Sequence, residues 1–179
     1  TIKLNSSGVT QWVFAVGGID TEGTPSGDSI AVDGSGNVYT AGHYRTISGG
    51  TADLESGSGT TNFTSTRLGG SKDEVFLLKH NSAGVHQWAK VFPSYGNAYP
   101  YGLTTLGSDV YMSGYFTDWM DFDPSAGDAT IRSAGNSDGY VAKYTSAGAL
   151  GTGNAPLVAN PPSGFQVVHG PVDGAELQG

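Results

Sequence analysis

Asp118, Asp121, Asp123 and Asp128 form the densest group of side chains in the sequence that could do chemistry. Asp121 and Asp123 are two apart, so on a strand both carboxylates project from one face. An oxygen-rich loop of this kind suits Ca²⁺, a hard cation that takes oxygen ligands, and Asp121, Asp123 and Asp128 are the candidate ligands. Paired carboxylates also serve glycoside hydrolysis. The competing role is a turn in which Asp side chains accept backbone N–H groups. Because the spacing does not match an EF-hand loop, the turn leads and Ca²⁺ comes second. Beside these carboxylates lies the aromatic run Tyr115-Phe116-Thr117-Asp118-Trp119-Met120, and Tyr95, Tyr99, Pro100 and Tyr101 make a second aromatic loop. If exposed, Trp119, Tyr115, Tyr99 and Tyr101 suit sugar stacking or a subunit interface; if covered, they are packing residues.

Other constellations are weaker. Gly135-Asn136-Ser137-Asp138-Gly139 fits G-x-S-x-G, but a nucleophile elbow needs a helix after the serine and a strand pattern follows here. His43, His80, His86 and His169 are scattered without metal-ligand spacing, and the chain has no cysteine. No catalytic arrangement emerges, and a non-enzymatic protein is expected. Asn5-Ser6-Ser7 and Asn62-Phe63-Thr64 are sequons that would accept glycans in a suitable host. Asp28-Ser29-Ile30 resembles a short bacterial O-glycan signal centred on Ser29.

The elements that must position these groups are strands. With 29 glycines in 179 residues and only 13% charged residues, the composition excludes a coiled coil and a helical bundle and favours tight turns. A net charge of −8 with eight basic residues disfavours nucleic-acid partners. No apolar run is long enough to read as a transmembrane helix. The first residues lack an apolar signal core, so the chain reads as mature, truncated or never secreted.

Internal repetition organises the rest. SSGVTQWVFAV (6–16) recurs as SAGVHQWAKVF (82–92) and, without its Trp, as TSAGAL (145–150). GNVYTAGHY (36–44) recurs as SDVYMSGYF (108–116), EVFLLKHNSAG (74–84) as GYVAKYTSAG (139–148), and DLESGSGT (53–60) as DFDPSAGD (121–128). The order of the pieces never changes. Runs such as Ile30-Ala31-Val32 and Val38-Tyr39-Thr40 flank Gly/Asn/Asp turns, which predicts antiparallel hairpins. Each unit therefore reads as about four antiparallel strands, the size of one propeller blade.

SIAVDGSGNVYTAG (29–42) followed by DFDPSAGDATIRSAGNSDGYVAKYTSAG (121–148) resembles the SBBP-type bacterial β-propeller repeat over residues 1–150. That resemblance implies a strand-rich module of secreted or cell-surface proteins, with no catalytic residues to carry over. The first unit departs from the pattern at Asp53-Leu54-Glu55-Ser56 and at Leu78.

The expected architecture is all-β, with about two blade-like units in residues 1–150 that do not close a ring. Ile2-Lys3-Leu4 resembles Val141-Ala142-Lys143, so the chain opens inside a blade. Residues 151–179 read as a Gly/Pro-rich linker, with Phe165, Val167 and Val168 as a terminal strand donated to a neighbour or paired locally. The function expected is structural or adhesive, extracellular, and exercised through a homo-oligomer or further repeats. A carbohydrate- or Ca²⁺-binding module and a fragment of a polysaccharide-acting enzyme are the alternatives.

Overall fold

β-branched and aromatic runs broken by Gly, Asn and Asp leave no stretch with a helical period, and the computed structural model contains strands and turns alone among its described residues. The structure describes residues 1–18, 25–46, 51–55, 62–64 and 72–151, and the backbone of 157–159 and 166–167. The strands are β1 (Ile2–Leu4), β2 (Thr10–Val13), β3 (Gly17–Gly18), β4 (Ser26–Val32), β5 (Val38–Thr46), β6 (Thr51–Asp53), β7 (Asn62–Thr64) and β8 (Lys72–His80). There follow β9 (His86–Phe92), β10 (Ala98–Leu106), β11 (Asp109–Phe116), β12 (Trp119–Asp121), β13 (Thr130–Arg132), β14 (Asp138–Tyr144), β15 (Leu157–Ala159) and β16 (Gln166–Val167).

Two antiparallel sheets dominate. The central sheet has the order β4-β5-β8-β9, and the C-terminal sheet the order β10-β11-β14-β15-β16. In each, a small hairpin interrupts the chain between the second and third strands: β6–β7 in the first case, β12–β13 in the second. The segment before each sheet reaches over to that hairpin, as β3 pairs β6 and Ser94 bridges Met120. Ahead of both sheets stands the two-stranded unit β1–β2.

The register corrects the phase read from the repeats. Lys3 faces Trp12 across β1–β2 as Lys79 faces Trp88 across β8–β9. Lys3 therefore corresponds to Lys79 and Lys143, one residue away from the alignment of Ile2-Lys3-Leu4 on Val141-Ala142-Lys143. The Trp-bearing hairpin is the outer half of a sheet and closes a unit instead of opening one. The described chain is thus an outer half-sheet followed by two fuller sheets.

Alternation along the strands builds two apolar layers. β8 is buried on both faces: Val75 and Leu77 join Tyr39, Phe92, Met112, Phe116 and Tyr144 between the central and C-terminal sheets, while Phe76 and Leu78 join Phe14, Tyr44 and Leu54 beneath β1–β2. A strand buried on both sides reads as a continuous apolar run, which Val75-Phe76-Leu77-Leu78 is. Both main sheets carry a β-bulge at the same place in their first strand, where the register slips between Gly27 and Ser29 and between Pro100 and Gly102. The extra residues are Asp28 and Tyr101.

His80 belongs to the layer under β1–β2. Its ring stacks on Phe14 at 3.7 Å and meets His86 edge-on at 5.3 Å. Burial, together with the nearby His86 and the N-terminal amine, pushes its pKa down from 6.5 to about 4. The unfolded chain then binds this proton more readily than the folded one, so stability is full above pH 6.5 and falls as the pH drops from 6.5 to 4. The loss is about 3 kcal/mol at most and smaller after solvent screening. Urea melts of the wild type and His80→Gln at pH 7 and pH 4.5 check this; the variant is expected to lose most of the wild type's pH dependence across that window.

Candidate functional site

The acidic turn is assembled by its own backbone. Asp121 Oδ1 accepts the N–H groups of Asp123 and Ala129 at 3.0 Å, Asp123 Oδ1 accepts that of Ser125 at 2.9 Å, and Asp128 Oδ1 accepts that of Thr130 at 3.0 Å. Asp53, the counterpart of Asp121 in the first unit, accepts the Glu55 N–H in the same way. The residue after each, Leu54 or Phe122, is fully buried. Recurrence of this contact in both copies of the repeat marks Asp121 as a turn-former that seats an apolar anchor. Among the described residues, no three His, Asp or Glu side chains gather closely enough to hold a metal ion. Asp118 adopts a left-handed conformation at φ 62° and receives Arg132 at 3.8 Å.

The bulges bring a different set together. Tyr99, Tyr101 and Tyr115 form one cluster with ring centroids 5.2 to 6.5 Å apart, and Tyr101 is 65% exposed. Tyr99 also meets the His43 ring edge-on at 4.7 Å across the junction between the two main sheets. The bulge residue Asp28 holds His43 Nδ1 at 2.6 Å. The buried Asp73 takes a two-pronged contact from Arg45 and the Tyr99 hydroxyl. Burial alone would raise the Asp73 carboxyl, but the hydrogen bonds from Arg45 and Tyr99 and the Arg45 charge outweigh it and hold it below the usual range. Burial and then Asp73 push the Tyr99 phenol up to about 12. Bulges commonly re-aim side chains at functional sites. Sequence reasoning singled out the three tyrosines, named Asp28 and His43 only in other settings and did not name Arg45 or Asp73; these four come from β4, β5 and β8. The usable signal was the equivalence of His43 with Tyr115 and of Asp28 with Tyr101.

The remaining candidates are dispersed. Trp119 lies apart from the tyrosine cluster, with the Arg132 guanidinium 6.0 Å from its ring centre. Asn5 caps its own turn by accepting the N–H groups of Ser7 and Val9, Asn62 is exposed in β7, and Ser29 is half-buried in β4. Val167 pairs with Leu157 of its own chain, so β16 is accommodated locally, while Phe165 and Val168 lie outside the described residues.

The junctions between sheets carry the most regular chemistry. At the first, Lys3 Nζ and Trp12 Nε1 both donate to the Ser82 carbonyl, at 2.9 and 3.3 Å. At the second, Lys79 Nζ and Trp88 Nε1 both donate to the Ser146 carbonyl, at 2.9 and 3.1 Å. A lysine and a tryptophan of one sheet thus clasp one carbonyl in the outer turn of the next. The glycine two residues later lets the indole lie flat on the turn: a Cβ on Gly84 would come within 2.6 Å of the Trp12 ring. Gly8, in the corresponding turn of the half-sheet, faces open space. At that end Ile2, Leu4 and Val13 are exposed, and at the other end so is Val141. No family model, curated protein or solved structure matches the chain.

Proposed function

We propose that this chain is a propeller-type run of SBBP-like sheet repeats that acts outside the cell as a non-enzymatic structural or adhesive element. It works by assembling with further units of its own kind, as a homo-oligomer or within a longer array. One observation carries this reading. The Lys–Trp clasp joins consecutive sheets at both junctions among the described residues, and an acceptor turn at one end (Ser6) and a lysine at the other (Lys143, with no tryptophan beside it in the repeat) take no part in it there. Apolar side chains exposed around an unused joint fit an interface, since an uncovered sheet invites pairing. Light scattering across a concentration series tests the reading. A mass that climbs above the 18.3 kDa chain as concentration rises is expected. A constant single-chain mass up to millimolar concentration would overturn it.

A second reading, carbohydrate binding, is favoured by the exposed Tyr101 beside Tyr99 and Tyr115, with the Asp28–His43 and Arg45–Asp73 pairs adjacent. Aromatic faces flanked by polar groups are the usual means of holding a sugar ring. Ca²⁺ is the weaker form of the binding reading, because Oδ1 of each of Asp121, Asp123 and Asp128 already accepts backbone N–H groups.

A further inference from the structure

Each clasp has a donor half and an acceptor half, and the repeats supply three of each. The lysine donors are Lys3, Lys79 and Lys143; the acceptor turns are Asn5-Ser6-Ser7-Gly8, Asn81-Ser82-Ala83-Gly84 and Thr145-Ser146-Ala147-Gly148. Lys3 and Lys79 are used on Ser82 and Ser146. Among the described residues, one lysine, Lys143, and one acceptor, the Ser6 carbonyl, make no such contact and stand at opposite ends of the stack.

The surroundings of both leftovers match the internal junctions. Ile2 and Leu4 hold the register positions of Ala142 and Tyr144, which are buried against Leu77 and Phe92 in the main core, yet Ile2 is 56% and Leu4 50% exposed. On the other side, Val141 holds the position of the fully buried Leu77, yet is 43% exposed. Lys143 is parked on this face by Asp109, whose carboxylate lies 2.8 Å from its Nζ.

We propose that a second copy of this chain seats its half-sheet on the open face of the C-terminal sheet, with Lys143 donating to the Ser6 carbonyl of that copy. The proposal rests on the assembly reading above and names its joint. The two patches differ, so the contact is head-to-tail and propagates into rings or filaments. Thr152 stands where the third tryptophan would be, and the half-sheet offers only outer strands. The joint is therefore weaker than the internal ones and reversible. Ile2, Leu4 and Val13 of one copy cover Val141 and Tyr111 of the other, as the internal layers cover their counterparts.

The absence of cysteine makes a positional test direct. Lys143→Cys and Ser6→Cys are purified separately, mixed, and treated with a short bismaleimide linker. Since each chain carries one thiol, only an intermolecular joint yields the mixed dimer. It is expected to form at least tenfold faster than the dimer of Lys143→Cys with Ser125→Cys, a residue exposed in the acidic turn. Val13→Lys, on a side chain already 68% exposed, is expected to slow the specific reaction tenfold without altering the melting temperature. Equal rates for Ser6→Cys and Ser125→Cys overturn the joint. If the wild type nevertheless assembles by light scattering, the assembly reading survives that outcome; a wild type that stays a single chain overturns both.

Discussion

Gly114→Ala is expected to destabilise the chain by about 3 kcal/mol or more, enough to unfold a domain of marginal stability near body temperature. The added Cβ would be driven onto the Tyr99 carbonyl oxygen, with the Tyr99 carbonyl carbon at 2.9 Å and the Pro100 Cα at 3.0 Å. All of these are backbone atoms of the paired strand, so no rotamer change relieves the clash. The clash lies beside the bulge in β10, where Pro100 pairs with Gly114 and the register then slips before Gly102. Gly42 stands opposite the matching bulge in β4, where a Cβ would strike the Ser26 carbonyl and the Phe76 ring. Gly42→Ala should therefore behave alike, whereas Gly135→Ala, with open space above it, should stay within about 0.5 kcal/mol of the wild type. Urea denaturation midpoints at constant slope compare all three. A Gly114→Ala variant as stable as Gly135→Ala would mean that the bulge geometry is wrong.

The second large effect isolates the clasp. Gly8 and Gly84 share a left-handed backbone, at φ 77° and 81°, so an Ala at either carries the same strain of about 1 kcal/mol. Only Gly84 lies under an indole, with Trp12 ring atoms 2.6 to 2.9 Å from a built Cβ. Gly84→Ala should accordingly cost about 3 kcal/mol and Gly8→Ala about 1 kcal/mol. In a Trp12→Ala background the excess at Gly84 should vanish, because the ring that caused it is gone. Such non-additivity is expected of groups in contact and of few others. Equal costs at Gly8 and Gly84 in the wild-type background would remove the indole from the turn.

These two effects show what could be read from the residues. Hairpins were legible because their turns are local: Asp33 accepts the N–H groups of Ser35 and Asn37, and Asn81 those of Ala83 and Val85, as Gly/Asn/Asp spacing implies. The phase of the sheets was not legible, because repeats are cyclic and either neighbour can claim a hairpin. Only the register of Lys3 against Trp12 assigns it to the preceding sheet. For the acidic turn a cation site stayed open as the second reading, because letters count carboxylates and not the N–H groups bound to them. The Asp28–His43–Tyr99–Asp73–Arg45 cluster left no local motif at all. Its members come from four strands of two sheets, aligned by a bulge that pattern reading does not detect. The clasp was half visible: Trp12 and Trp88 stood out as equivalent, but their acceptor is a main-chain carbonyl, which no side-chain motif records.

Strand β1 is the least paired of the three equivalent strands among the described residues. Its counterparts β8 and β14 each have two neighbours, while β1 pairs with β2 alone among the described strands. Ile30 and Val32 on the central sheet are correspondingly 53% and 56% exposed, although Leu103, the counterpart of Ile30, packs against the main core. An open edge beside exposed apolar side chains is a surface that folding alone leaves unsatisfied. Under the proposed reading, further units of the same kind cover that surface.

Electron microscopy of the concentrated wild-type chain tests that argument most directly. The account predicts rings or filaments built of copies stacked head-to-tail, which thin out in Val13→Lys. A uniform field of single chains at every concentration would contradict it.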